Sequence, residues 1–398
     1  MFTVVLMAWV IPPLIFGWMV KQGSQVRRSP VTIDHVLRIA CGSIVYICQL
    51  VYGSILGFFT MIIPDKSGSI ERWFHGVIQK SMSMDAHHIW GVKFNVHNPY
   101  EEDFGRGSII ICNHQSMLDP IFVLSLSPRI LITAGSHVWK NPIVTPMFKV
   151  ARFMNAGLEI ENLKGKIEKS VNDGYNVLIF PEGLRSEDEI KRFKQGAFYL
   201  AGEIGADVLP IYLHGSGHVM PKGSGFASRG QVDLEIGKRI PASELTSYGP
   251  TYPKIAHAVQ EEYAAHYQQM KTEIETTHYF HHYVIDKYTY KGIGVERETR
   301  RLLKKYDDFS AWIDGYTPVE GKSGGVSVLH AGRGQFSFLF ALVHPETEVY
   351  SYADTTDDYD MAKACEPLPA NLHIRNAMTE SVDEARTHVV NLNDILEI

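Results

Sequence analysis

The sequence predicts an α/β protein: a mixed sheet flanked by helices, with membrane helices at its N-terminal end and a truncated strand–turn–helix unit at its C-terminal end. Three observations carry this reading. Short apolar runs at 109–112, 177–180 and 208–213 stop abruptly at polar or turn-forming residues, as buried strands do. Stretches with helical spacing separate them, which suits a sheet with helices packed on it. Ahead of these lie two apolar runs long enough to meet a bilayer.

The 398 residues allow two or three domains, and 45% hydrophobic content is ordinary for a globular chain. A net charge of −6 argues against a nucleic-acid partner. Cys41, Cys48, Cys112 and Cys365 show no CxxC pairing and read as reduced thiols in a cytosol-facing protein. Cys112 abuts His114, but its place in a buried strand makes it a packing residue rather than a nucleophile.

Residues 2–20 form a nearly uncharged run, interrupted by Pro12 and Pro13, of about the length of a membrane-spanning helix. No charged region precedes it and no small-residue cleavage site follows, so a cleaved signal peptide is the lesser reading. Lys21, Arg27, Arg28 and Arg38 place the next loop on the cytoplasmic side. The second run, 39–63, could cross again. Gly42, Gly53, Gly57 and Gln49 within it suit a packed or interfacial helix better. One span plus one embedded segment is therefore expected, in the inner (cytoplasmic) membrane. Ile70, Trp73, Phe74, Val77 and Ile78 follow at helical spacing, as on a helix lying on the membrane. His87 and His88 are adjacent, point about 100° apart on a helix, and read as a surface pair.

The strand at 109–112 ends in Asn113-His114, with Asp119 about one helical turn further on. That spacing lets a carboxylate accept from one imidazole nitrogen while the other faces a reactant. An imidazole so held is a general base of fixed tautomer, and the acceptor's own hydroxyl can serve as nucleophile. The alternative is a helix cap beside an unrelated histidine. A helix over 162–173, stopped by Gly174, precedes the strand at 177–180. That strand breaks at Pro181-Glu182-Gly183, a sharp turn that leaves Glu182 and Arg185 at its carboxyl end. Lys191, Arg192 and Lys194 add a basic rim that could hold a phosphate or phosphopantetheine arm, or could be a solvated face. Residues 208–213 read as a buried strand and 231–236 as an outer one.

These residues resemble the glycerolipid acyltransferases. Asn113-His114 with Asp119 matches their NHxxxxD motif. Phe180-Pro181-Glu182-Gly183 with Arg185-Ser186 matches FPEGTRS, with Leu184 where Thr is usual. Residues 192–197 and 208–211 are similar to the blocks that follow, so the resemblance runs over about residues 70–240. It implies the family's α/β fold, catalysis by His114 and Asp119, and substrate binding by Glu182, Gly183, Arg185, Ser186 and Lys194. It also implies acyl-CoA or acyl carrier protein as donor, membrane lipids such as a lysophospholipid as acceptor, and no metal or other cofactor. Backbone N–H groups near Gly183 are the expected oxyanion donors. Both acyl donors are cytoplasmic, which again favours an embedded second helix over a crossing one. The Arg that helps the family bind glycerol phosphate is missing from 153–161, where Glu159 and Glu161 stand; Arg152 is the nearest candidate. Other hydroxyl lipids therefore remain alternative acceptors.

Residues 253–278 form a long helical stretch that continues through aromatic-rich 279–290. His278 and His282, at i and i+4, have zinc-compatible spacing but no HExxH or third ligand nearby, and read as surface histidines. Beyond them, 326–336 is strand, glycine turn and helix start, and a second strand ends near Asp354. This layout resembles the first motif of methyltransferases that use S-adenosylmethionine. His330 replaces the usual acid, however, and Phe336 the third glycine. Too little chain follows Gly324 for a complete domain, so this part reads as a truncated, non-catalytic Rossmann-like module. The expected division is 1–66 membrane-anchoring helices, 67–250 acyltransferase domain, 251–295 helical connector and 296–398 Rossmann-like module. The alternatives to a lipid O-acyltransferase are a methyltransferase and the tail of a lipid exporter fusion, because the opening resembles an exporter's last span.

Overall fold

The computed structural model describes residues 14, 16–26, 31–63, 67–89, 91–136, 138–140, 145–186, 189–319 and 324–396. Most of the expected span at 2–20 lies outside them. The chain divides between Gln269 and Met270 into two compact units.

The first unit is built on seven strands: β1 (Val92–His97), β2 (Ser108–Cys112), β3 (Ile130–Ala134), β4 (Met154–Asn155), β5 (Asn176–Ile179), β6 (Asp207–His214) and β7 (Gly230–Ile236). Their spatial order is β1-β7-β6-β2-β5-β3-β4. β6 and β7 run antiparallel and every other neighbouring pair is parallel, so the sheet is mixed, as expected. Every residue of β2 and β6 is buried, which is why both read as unbroken apolar runs rather than alternating ones. Pro210 sits inside β6 without breaking it. The β7 ladder begins only at Ile211, so the missing N–H falls where no partner strand asks for it. β7 is second from the edge rather than outermost, because β1 pairs along its full length.

β2, β5 and β6 are adjacent and parallel, and the chain leaves them in different directions. From β2 it goes through the helix Asp119–Leu124 to β3 on one side; from β5 it goes through the helix Gly196–Ile204 to β6 on the other. Such a reversal opens a crevice at the carboxyl ends of the strands.

The helix Ile33–Ile62 is, among the described residues, the one long and apolar enough to cross a membrane, judged by length and composition. Ile44, Ile47, Val51, Ile55 and Phe58 on it are exposed. Its other face packs: a Cβ on Gly57 would lie 3.2 Å from Met147 Cα, and one on Gly53 would lie 3.0 Å from Met147 Sδ. Gln49 Nε2 donates to Asp85 Oδ1 at 3.0 Å. Gly53, Gly57 and Gln49 thus serve packing, whereas a Cβ on Gly42 would meet nothing from the rest of the protein within 4 Å. In the next helix, Ser69–His88, Phe74 and Ile78 turn into the protein core and only Trp73 stays exposed. The apolar stripe expected to lie on the membrane therefore chiefly binds this helix to its own domain. His87 and His88 each bond a carbonyl of their own helix, as a surface pair does.

The second unit holds a four-stranded parallel sheet: β8 (Val326–Leu329), β9 (Val349–Ala353), β10 (Leu372–Asn376) and β11 (His388–Asn391), in the order β10-β9-β8-β11. This is the strand order at the start of a doubly wound sheet. The glycine turn is present, with Gly332 and Gly334 at positive φ, and leads into the helix Gln335–Val343. His330 Nδ1 lies 3.1 Å from Asp354 Oδ1, so the acid at the end of β9 is paired with a residue of the turn itself. The helical stretch before this sheet is two helices, Tyr252–Ile274 and Thr277–Tyr288, broken at 275–276.

His75, on the helix Ser69–His88, is buried with both ring nitrogens used. Nε2 donates to the Ala151 carbonyl at 3.1 Å, and Nδ1 accepts from the Tyr175 hydroxyl at 3.0 Å. Burial holds its pKa down at about 4, below the ordinary 6.5. Between those values the unfolded chain binds more protons, so this stabilisation is complete above pH 6.5 and is lost as pH falls towards 4. Urea unfolding should show this as a loss of about 2 kcal/mol between pH 7 and pH 5. In His75→Gln that loss should shrink; an equal loss in parent and variant would contradict the assignment.

Candidate active site

Three neighbouring strand ends supply the site. Past β2, the chain leaves the sheet at Asn113, whose side chain stays in register with β6. Asn113 Nδ2 donates to Leu213 O at 2.8 Å, and Leu213 N donates to Asn113 Oδ1 at 2.9 Å. His114 follows, its Nδ1 2.7 Å from Asp119 Oδ2. Asp119 is the first residue of the helix Asp119–Leu124, and its carboxylate is fully buried. The same Oδ2 accepts from the backbone N–H groups of Gln115 (2.7 Å) and Ser116 (2.8 Å). Oδ1 accepts from Ser216 Oγ at 2.6 Å. The alternative of a helix cap beside an unrelated histidine does not hold: the N-cap position is Leu118, with no side-chain cap bond, and the Asp119 carboxylate instead closes the loop ahead of the helix and orients the imidazole.

The ring of His114 stacks on Phe180 from the end of β5, with centroids 4.2 Å apart. With Nδ1 committed, Nε2 is the nitrogen left for a reactant, and the side chain is 20% exposed. Glu182 is buried behind it. Glu182 Oε1 accepts from His114 N and Oε2 from Lys191 N, both at 2.9 Å. Burial pushes its pKa up against those two bonds. With both oxygens on backbone donors, Glu182 braces the His114 loop instead of facing a substrate. Ser186 does the same through its backbone, donating to His114 O at 2.8 Å.

Gly183 has φ +70, a conformation open to glycine, and a Cβ there would meet Lys194 Nζ at 2.6 Å. Of the backbone N–H groups near Gly183, that of Gly183 itself is already spent on Phe180 O. Arg185 is half-buried and Lys194 exposed; among the described residues neither side chain makes an ion pair or hydrogen bond. Arg152 is differently placed. It pairs with Glu71 and Asp173 and so is not the anion ligand missing from 153–161. Glu161 accepts from the Tyr199 hydroxyl. Cys112 is fully buried and its thiol is pushed well up by that burial, which suits packing and not nucleophilic attack.

Four contributors were not identified from sequence. Ser216 follows β6 and holds the second oxygen of Asp119. Lys222 Nζ reaches the Arg185 carbonyl at 3.5 Å. Tyr263 and Tyr267, one turn apart on the helix Tyr252–Ile274, back the His114 loop. Tyr263 Oη accepts from Asn113 N (3.0 Å) and donates to Ile211 O (2.6 Å). Tyr267 Oη accepts from Gln115 Nε2 (2.7 Å) and lies 2.9 Å from His214 Nδ1. Their i, i+4 spacing was the available signal.

Tyr263→Phe should leave a buried N–H and a buried carbonyl unsatisfied. A loss of about 1–3 kcal/mol in urea unfolding is expected; unchanged stability would show that the hydroxyl is not structural.

Comparisons with known proteins match the part of the chain that carries this site. A family model described as Acyltransferase matches residues 93–214. The chain is 35% identical over 143 residues to a chloroplastic 1-acyl-sn-glycerol-3-phosphate acyltransferase of Brassica napus, which covers 34% of this chain and 41% of that protein. It is 25% identical over 167 residues to the beta 1-acyl-sn-glycerol-3-phosphate acyltransferase of Homo sapiens, covering 40% of this chain and 60% of that one. The chain thus spans from two fifths to three fifths of these relatives. The crystal structure of the 1-acyl-sn-glycerophosphate acyltransferase PlsC from Thermotoga maritima has the same fold, with a TM-score of 0.52, 22% identity, and coverage of 60% of this chain and 97% of that one. The segment matched by the family model carries the His114–Asp119 pair and the adjacent parallel strands β2, β5 and β6, and it is over this part that the chain is similar to the 1-acyl-sn-glycerol-3-phosphate acyltransferases.

Proposed function

We propose that this protein is a membrane-associated O-acyltransferase. It moves an acyl chain from a thioester donor, acyl-CoA or acyl carrier protein, to a hydroxyl of a lysophospholipid, with 1-acylglycerol-3-phosphate as the first acceptor to test. The observation that carries the proposal is the 2.7 Å contact between His114 Nδ1 and the fully buried Asp119, which leaves Nε2 for the acceptor. None of the relatives named above is an exporter or a methyltransferase.

In this mechanism His114 Nε2 takes the proton of the acceptor hydroxyl as its oxygen attacks the thioester carbonyl. The resulting imidazolium keeps its Nδ1–H on Asp119, whose negative charge stabilises it. Collapse of the tetrahedral intermediate breaks the carbon–sulfur bond, and the departing thiolate receives the proton from Nε2. The enzyme returns to its starting state with no acyl group attached. Arg185 and Lys194 supply positive charge for a phosphate on the acceptor or donor. This compensates for the missing arginine at 153–161. The exposed apolar face of the helix Ile33–Ile62 seats the domain at the bilayer, where both acyl chains reside.

Acyl transfer in isolated membranes, with labelled acyl-CoA and acyl carrier protein and a panel of hydroxyl lipids, tests this reading. Product on 1-acylglycerol-3-phosphate is expected in the parent and not in a folded, membrane-bound His114→Ala. Ser216→Ala should lower kcat about 10- to 100-fold with KM little changed, because a hydrogen bond to a buried carboxylate is lost. Transfer by His114→Ala at the parent rate would end the proposal. Product only on lipids lacking a phosphate would reassign the acceptor.

A further inference from the structure

The second unit gathers three side chains that acyl transfer does not use. His278 and His281 stand at i and i+3 on the helix Thr277–Tyr288, so they share one face. Asp307 opens the short turn Asp307–Phe309. One ligand atom from each residue lies within 4.8 Å of the other two. His281 Nε2 is shut off from solvent and makes no hydrogen bond, although it stands 3.4 Å from Asp307 Oδ1. That separation is long for a hydrogen bond. It is close to the edge of a tetrahedron of nitrogen and oxygen ligands around zinc, about 3.3 Å for bonds of about 2.0–2.1 Å.

The surroundings hold this arrangement in place. Asp314 Oδ1 accepts from Thr277 N at 2.8 Å and Oδ2 accepts from Thr277 Oγ1 at 3.3 Å, fixing the turn that carries His278. Tyr279 and Phe280, between the two histidines, are buried in the core of the unit. The rings of His278 and His281 stand 5.5 Å apart. His282, the partner expected from i, i+4 spacing, is exposed and is not part of this group. The third ligand could not be read from sequence because it comes from a separate turn.

We propose that His278, His281 and Asp307 form a binding site for a divalent transition metal, zinc by its ligand set, that ties the helix Thr277–Tyr288 to the turn at Asp307. Two imidazoles and one carboxylate suit zinc better than magnesium or calcium, which prefer all-oxygen sites. The fourth tetrahedral position is left to water.

The test is titration of tag-free, metal-stripped, full-length protein with Co²⁺, read by its visible absorption, followed by displacement with Zn²⁺. One equivalent with the intense bands of a tetrahedral site is expected, displaced by Zn²⁺. It should be lost in His281→Ala and in Asp307→Asn, and kept in His282→Ala. Asp307 is half-exposed, so Asp307→Asn reads the site even where His281→Ala fails to fold. Weak absorption unchanged by Asp307→Asn would mean an adventitious ion only and would overturn the assignment, as would an intense band that survives that substitution.

Discussion

A buried carboxylate organises the first unit. Asp119 is closed off from solvent, and an ionised group in that position is tolerated only when its lone pairs are filled. Its partners come from two strand ends: the imidazole of His114 and two backbone N–H groups after β2, and the hydroxyl of Ser216 after β6. The β5 end is tied in through Glu182, which holds the backbone of His114. The arrangement requires β6, β2 and β5 to lie side by side and parallel, and the mixed sheet provides this. Each of these supports holds either the carboxylate or the loop that presents the imidazole.

Much of this could be read from the sequence, for identifiable reasons. The strands at the centre of the sheet are covered on both faces and therefore announce themselves as unbroken apolar runs. His114 and Asp119 are close in sequence, so their pairing followed from spacing. What the sequence did not reveal depends on contacts between distant segments. Ser216 lies far from Asp119 in the chain, and a lone serine after a strand carries no local signal. Tyr263 and Tyr267 gain their role only once the helix carrying them is placed behind the His114 loop. Glu182 was expected at the substrate only because the resemblance of its motif implied it. The fold turns both its oxygens inward, where the backbone of a sharp turn needs acceptors.

The same distinction holds at the two ends of the chain. In the helix Ile33–Ile62, glycines and a glutamine in an apolar run indicated packing, and Gly53, Gly57 and Gln49 do pack while Gly42 does not. Composition shows that such positions exist but not which face they occupy. In the second unit the strand, glycine turn and helix were plain, yet the pairing of His330 with Asp354 engages the acid that the pattern would have offered to a ribose. Local pattern predicts the scaffold well. The use made of each polar group depends on its neighbours in space.

The most direct test is nitrogen NMR of histidine-labelled protein, with the His114 signal assigned by its loss in His114→Gln. If Asp119 sets the state of His114, the neutral ring will carry its proton on Nδ1, and Asp119→Asn will abolish that preference. A His114 ring protonated on Nε2, or a mixture of the two forms unchanged by Asp119→Asn, would contradict the account.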